Sequence, residues 1–190
     1  MGYAALRLLF FLLIVKPFLL LATGINVRCR KRLPVSGPAL IIANHNSHLD
    51  ALVLMAMLPL HLLLHTRPAA SAEYFLRNRW RAWFATQVIG IIPLTTAGGL
   101  PQAEVLEPVR QALMAGQIVI FFPEGTRGEP ECLGKLKSGI AWLAEQLPDV
   151  PICPVRLRGL GNSVHRPPRF CRPRCAPRDC GRSAARSSVG

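Results

Sequence analysis

The sequence predicts an α/β fold: a mixed, largely parallel sheet flanked by helices, with an N-terminal membrane-associating helical segment. Three observations carry that expectation. Short apolar runs rich in Ile and Val alternate with stretches of helical period. Two of those runs end abruptly in polar clusters, NHNSHLD at 44–50 and PEGTRG at 123–128, as strands do at the binding edge of an open α/β sheet. The first 23 residues are apolar almost throughout.

That opening stretch, AALRLLFFLLIVKPFLLLAT at 4–23, is interrupted by Arg7 and by Lys16-Pro17. Its longest unbroken apolar run, Leu8 to Val15, is shorter than the roughly 20 residues that span a bilayer. A signal peptide is poorly supported, because the apolar region is broken and no small-residue cleavage site follows it. The pattern favours two short helices hinged at Pro17 and dipping into one leaflet; a single tilted spanning helix is the alternative. Arg28, Arg30, Lys31 and Arg32 follow at once and belong on the cytoplasmic side.

Beyond the anchor, PALIIAN (38–44) has the length and Ile content of a strand, and HLDALVLMAML (48–58) reads as a helix ended by Pro59. LHLLLHTR (60–67) is ambiguous, with a strand preferred. Residues 72–86 fit one helix with Leu76, Trp80 and Trp83 on a face and Arg77, Arg79 and Arg81 around it. VIGIIPL (88–94) reads as a strand, and 103–116 as a helix that Pro108 must begin or kink. QIVIFF (117–122) is the clearest strand, followed by a helix at 136–147 and a last strand at 151–160.

The composition narrows the setting. A chain of 190 residues can bury one real core and is too short for two full-sized domains. Half its residues are hydrophobic (51%), yet the net charge is +13, a combination suited to an anionic membrane surface or acidic substrates. Nucleic-acid binding ranks last, because no aromatic-basic reader motif accompanies the charge. The six cysteines form no CxxC pair, which argues against structural zinc, and the three outside the tail, Cys29, Cys132 and Cys153, read as reduced thiols, which favours a cytosol-facing protein. Three units are expected: a membrane-associating segment at 1–34, a domain at 35–162, and an Arg/Pro-rich tail at 163–190. The tail cannot bury enough surface to order itself. It reads either as a basic binding tail or as a frame-shifted end that cuts the domain short, the second being favoured.

Chemistry concentrates in the two polar clusters. Ser47 and Asp50 fit a capping box at a helix start, which accounts for both without catalysis and leaves His45 unexplained. In the catalytic reading, Asp50 orients His45 and makes it more basic, so that it can deprotonate a hydroxyl that the substrate brings. Zinc on His45 and His48 lacks both the helical spacing and a third ligand. In FFPEGTRG (121–128), Gly125 allows close backbone approach, Arg127 offers a fork for phosphate, and Glu124 can bond a hydroxyl or hold Arg127. An ordinary polar turn is the competing explanation for that stretch alone.

Together the motifs resemble a known family. NHNSHLD resembles the NHxSxxD form of the HX4D motif of the 1-acylglycerol-3-phosphate acyltransferases, FPEGTRG their FPEGTRS block, and VPICPV (150–155) their VPIxPV block, all in the family's order. The resemblance implies that His45 deprotonates the acceptor hydroxyl and Asp50 orients it. Glu124, Gly125, Thr126 and Arg127 would line the acceptor site, with Arg127 on the phosphate. It implies no metal, no cofactor and no acyl-enzyme, with acyl-CoA or acyl-carrier protein as co-substrate. The expected acceptor is the membrane lipid 1-acylglycerol 3-phosphate, the product phosphatidic acid, and the location the cytoplasmic face of a membrane, such as a bacterial inner membrane. One departure bears on the acceptor: the family's second block usually ends in arginine, where GIIPLTT has Thr96. Other lysophospholipids or glycerol 3-phosphate then become alternatives, as does an inactive protein of the same fold. Arg67, Arg77 and Lys137 are the cations available to compensate.

Overall fold

The computed structural model describes residues 2–23, 33–45, 47, 49–95, 99–125 and 137–157. Five strands make one sheet in the order β3-β2-β4-β1-β5. They are β1 (Ala39–Ala43), β2 (Thr66–Ser71), β3 (Ile92–Leu94), β4 (Ile118–Phe121) and β5 (Ile152–Val155). The α/β sheet flanked by helices is as the sequence predicts, and every pairing among the described strands is parallel.

The strand sequences explain the layers. β4 is buried at all four positions and β1 nearly so, the pattern of central parallel strands covered on both faces. Alternate residues feed opposite cores. Ala39, Ile41, Ala43, Ile118 and Ile120 pack with Val53, Leu54 and Met57 of α3 (Asp50–Met57) and with Leu62 and Leu63 of α4 (Leu60–Leu63). Leu40, Val119 and Phe121 meet Leu106, Val109 and Leu113 of α7 (Gln102–Met114) and Leu143 of α8 (Gly139–Gln146).

The N-terminal segment departs from the two-helix expectation. Helices α1 (Gly2–Phe10) and α2 (Lys16–Thr23) are joined without a break by a π-helical turn, Phe11–Val15. Lys16 N–H bonds the Phe11 carbonyl, five residues back. This wider turn accommodates Pro17, which has no N–H and whose ring would clash with a carbonyl four residues earlier in a regular helix. Arg7, Phe11, Val15 and Leu19, spaced by four, are buried in one stripe. The last three join the core beneath β1, each worth about 1.5–3 kcal/mol when fully buried. By length and composition alone Gly2–Leu21 can cross a membrane, and its other faces leave Leu9, Leu13, Ile14, Phe18 and Leu20 exposed.

Three other assignments shift. The 60–67 stretch is helix α4 until Leu63, and the strand begins only at Thr66, whose hydroxyl bonds the Leu62 carbonyl at 2.7 Å. The single helix expected at 72–86 is α5 (Ala72–Phe75) and α6 (Arg79–Trp83), broken at Asn78. Asn78 accepts from Trp80 N–H at 2.9 Å and so caps a new helix start. A second π-helical turn, Phe84–Ile89, replaces the first half of the strand expected at 88–94. Pro108 lies inside α7, which continues through it. The 163–190 tail lies outside the described residues.

Candidate active site

Strands β1 and β4 are neighbours with Ile42 opposite Phe121, so the chain leaves the sheet side by side at Ala43 and Phe122. Both polar clusters therefore emerge on the C-terminal edge of a parallel sheet, where open α/β folds bind ligands.

At the end of β1, His45 Nδ1 lies 3.0 Å from Asp50 Oδ2. The Asp50 side chain is fully buried and that of His45 is 22% exposed. The same carboxylate oxygen accepts from Ser47 N–H at 2.8 Å, and Leu49 N–H donates to Ser47 Oγ at 3.3 Å. Capping and orientation are thus served by one side chain. Asp50 closes the helix start and also fixes the imidazole, sitting in the first turn of α3 where the helix dipole favours a carboxylate. With the ionised carboxylate facing Nδ1, that nitrogen carries the proton and Nε2 is left as the basic atom. Phe122 stacks on the ring, centroids 4.4 Å apart and planes 27° from parallel, tying the β1 turn to the β4 turn.

The β4 turn supplies the second half. Glu124 is buried, and neither of its carboxylate oxygens has a hydrogen-bond partner among the described residues. A buried carboxyl group held this way needs a hydrogen-bond partner, which a bound acceptor or a neighbouring cation would provide. Gly125 has φ +71, and a Cβ there would stand 2.6 Å from Lys137 Nζ. The glycine thus lets the Lys137 ammonium lie directly over the turn, while Lys137 N–H bonds the Pro123 carbonyl at 3.0 Å. Thr126, Arg127, His48 and Thr96 lie outside the described residues.

Of the cations that stood to compensate for Thr96, Arg67 is committed elsewhere. Its Nε and Nη2 donate to the Gly90 and Ile91 carbonyls, each at 3.0 Å, and burial lowers its pKa. It pairs in register with Val119, in the half of the sheet away from the C-terminal edge. Arg77 is in the exposed turn between α5 and α6. Lys137 alone of the three stands at the β4 turn.

The sequence pattern places Asn44 only at the end of the 38–44 run and gives it no role. Asn44 is buried, and its side chain bonds both the carbonyl and the N–H of Leu157, at 2.9 and 2.7 Å. The pattern also gives no role to Phe122 beneath the histidine. A polar residue next to the histidine and an aromatic before PEG were the available signals.

The acyltransferase family model matches residues 24–158. The chain belongs to the acyltransferase family. Among curated relatives, it is 29% identical over 143 residues to the chloroplast 1-acyl-sn-glycerol-3-phosphate acyltransferase of Arabidopsis thaliana, covering 73% of this chain and 37% of that one. It is 31% identical over 132 residues to the 1-acyl-sn-glycerol-3-phosphate acyltransferase alpha of Ovis aries, covering 69% of this chain and 44% of the relative. The acyltransferase chain thus spans less than half the length of these relatives. A solved structure, the 1-acyl-sn-glycerophosphate (LPA) acyltransferase of Thermotoga maritima, shares the fold with a TM-score of 0.56 at 19% identity, over 82% of this chain and 61% of that one.

Proposed function

We propose that this acyltransferase moves a fatty acyl group from acyl-CoA or acyl-carrier protein to the free hydroxyl of 1-acylglycerol 3-phosphate, giving phosphatidic acid at the cytoplasmic face of a membrane. The observation that carries the reading is the His45–Asp50 pair, 3.0 Å apart on the sheet edge beside Glu124 and Gly125. The names of the relatives point to the same acceptor.

In this reading His45 Nε2 takes the acceptor's hydroxyl proton as that oxygen attacks the thioester carbonyl carbon. The tetrahedral intermediate collapses with cleavage of the C–S bond, and the departing thiolate takes the proton back from the imidazolium. Asp50 holds the ring through Nδ1–H and stabilises the imidazolium while it exists. Because the acceptor brings its own nucleophile, no serine is needed and no acyl-enzyme forms. Glu124 pairs with the cations that face the phosphate, since the acceptor's one free hydroxyl is taken by His45 Nε2. Lys137 and Arg127 supply cationic charge for the phosphate, and Thr126 offers it a hydroxyl.

Purified chain in detergent micelles, given acyl-CoA and 1-acylglycerol 3-phosphate, tests this. Turnover that disappears in His45→Ala is the expected result. Equal turnover by the variant would remove His45 as the base. Thr96, with Arg67 already committed, favours a second acceptor class: lysophospholipids without a terminal phosphate. Faster turnover of these than of 1-acylglycerol 3-phosphate would select it.

A further inference from the structure

We propose that the α5–α6 segment, Tyr74 to Phe84, is a second membrane-docking element. It would lay Leu76, Trp80 and Trp83 into the headgroup boundary of an anionic bilayer, with Arg77, Arg79 and Arg81 on lipid phosphates.

The sequence predicts one helix here, with Leu76, Trp80 and Trp83 on a face and Arg77, Arg79 and Arg81 around it. The fold leaves that face uncovered. Trp80 is 80% exposed, and Tyr74, Leu76, Trp83 and Phe84 are exposed with it. A soluble surface does not leave a tryptophan so bare beside four other large apolar side chains without a reason. The break at Asn78, with its cap on Trp80 N–H, creates this presentation by starting α6 anew.

Charge points to the occupant. Arg77, Arg79 and Arg81 are all exposed around Trp80, and no acidic side chain lies between Tyr74 and Phe84; Glu73, just before it, accepts from the Ser71 hydroxyl at 2.8 Å. Tryptophan at the headgroup level with arginines beside it is the composition of a bilayer interface. An acidic protein partner would answer the arginines but leave the surrounding apolar surface unexplained.

Continuity points the same way. Tyr3 meets Trp83 edge-on at 6.5 Å between centroids, and Phe10 meets Phe84 at 5.2 Å, so α1 adjoins this segment. The exposed Tyr3, Leu6 and Leu9 of α1 extend the same apolar region. With its Arg7–Leu19 stripe held on the domain, the N-terminal helix and the α5–α6 segment would touch the leaflet as one footprint. This rests on the reading that the acyltransferase works at a membrane surface.

The test uses the full chain with Trp83→Phe and Trp142→Phe, which leaves Trp80 as the sole tryptophan. Vesicles of phosphatidylcholine with phosphatidylglycerol, carrying brominated acyl chains, should quench Trp80 and shift its emission to the blue. Arg77, Arg79 and Arg81 changed together to Gln should weaken vesicle binding on the order of 100-fold, about five-fold per arginine. Trp80→Ser should weaken it too and leave turnover in detergent micelles unchanged. A chain that binds vesicles with Trp80 unquenched would overturn the docking element, leaving membrane association intact and the face for a protein partner. A chain that does not bind these vesicles at all would overturn both the docking element and the membrane-surface reading.

Discussion

The Asn44 side chain pairs with Leu157 as if it were another stretch of backbone. It donates to the Leu157 carbonyl at 2.9 Å and accepts the Leu157 N–H at 2.7 Å, across 113 residues of sequence. The β1–β5 ladder ends with Ala43 opposite Val155, so this side chain continues the pairing past the last strand residues. His45 is the next residue, and its backbone is held by that clamp.

Asn44→Ala should therefore act on stability and on catalysis together. It removes the side-chain partner of two buried backbone groups of Leu157, at about 1–3 kcal/mol each, lowering Tm by roughly 4–24 °C in a chain of this size. Below the transition kcat should fall more than KM rises, because the base is misplaced while the acceptor site stands. An unchanged Tm would show that the pair contributes nothing. Asn44→Asp keeps the acceptor but loses the donor and buries a charge, so it should be no better than Ala.

Gly125→Ala separates the β4 turn from the base. An L side chain at φ +71 costs about 1–2 kcal/mol. The added Cβ also occupies the place of the Lys137 ammonium, 2.6 Å away, and must push that flexible side chain off the turn. The expected outcome is a rise in KM for a phosphate-bearing acceptor of roughly ten-fold, the loss of one charge-assisted contact, with a smaller change in kcat. Lys137→Gln should reproduce the KM effect without the strain. If neither variant moves KM, Lys137 does not serve the phosphate.

Cys153, on β5 opposite Ile41, gives a pH prediction. Burial pushes its thiol pKa up from 9.0, so the fold favours the neutral thiol. Its contribution to stability is complete below the unfolded-state value and is lost as pH rises through the folded-state value. Tm should therefore decline between pH 8 and 10 with a component that Cys153→Ala removes. A chain retaining only this cysteine should react with iodoacetamide at pH 8 more slowly than a free thiol. A reaction as fast as that of the unfolded chain would contradict the burial.

How far the sequence could be read depended on range. His45, Ser47 and Asp50 fall within six residues, so strand end, capping box and imidazole orientation all leave a local pattern, and the structure brings them together. The layers were legible too, because ALIIA and IVIF are apolar on both faces. The Asn44 clamp was not, since its partner lies at the far end of the domain. Pro17 misled, because a π turn accommodated by packing Phe11 and Val15 on the core is a tertiary solution to a local fault. Asn78 acts as a cap in the middle of a good helical pattern, and only the exposed surface it creates distinguishes it from an ordinary helical residue. Arg7 carried a usable signal: a lone charge four residues from Phe11 in an apolar stripe needs a buried partner, which is the Thr66 carbonyl.

Asp50→Asn is the sharpest test of the pair itself. One oxygen serves both Ser47 N–H and His45 Nδ1, so an amide that keeps its oxygen there preserves the helix start, and Tm should change little. That oxygen keeps the tautomer but lacks the charge that stabilises the imidazolium. The base is weakened, and kcat should fall by roughly 10³-fold or more with KM for the acceptor little changed. Asp50→Ala should match that loss and also cost about 1 kcal/mol from the lost cap. A kcat loss of similar size in both variants, with Tm lowered only in Ala, would separate orientation of His45 from closure of the helix. Near-normal kcat in Asn would leave Asp50 as a cap alone.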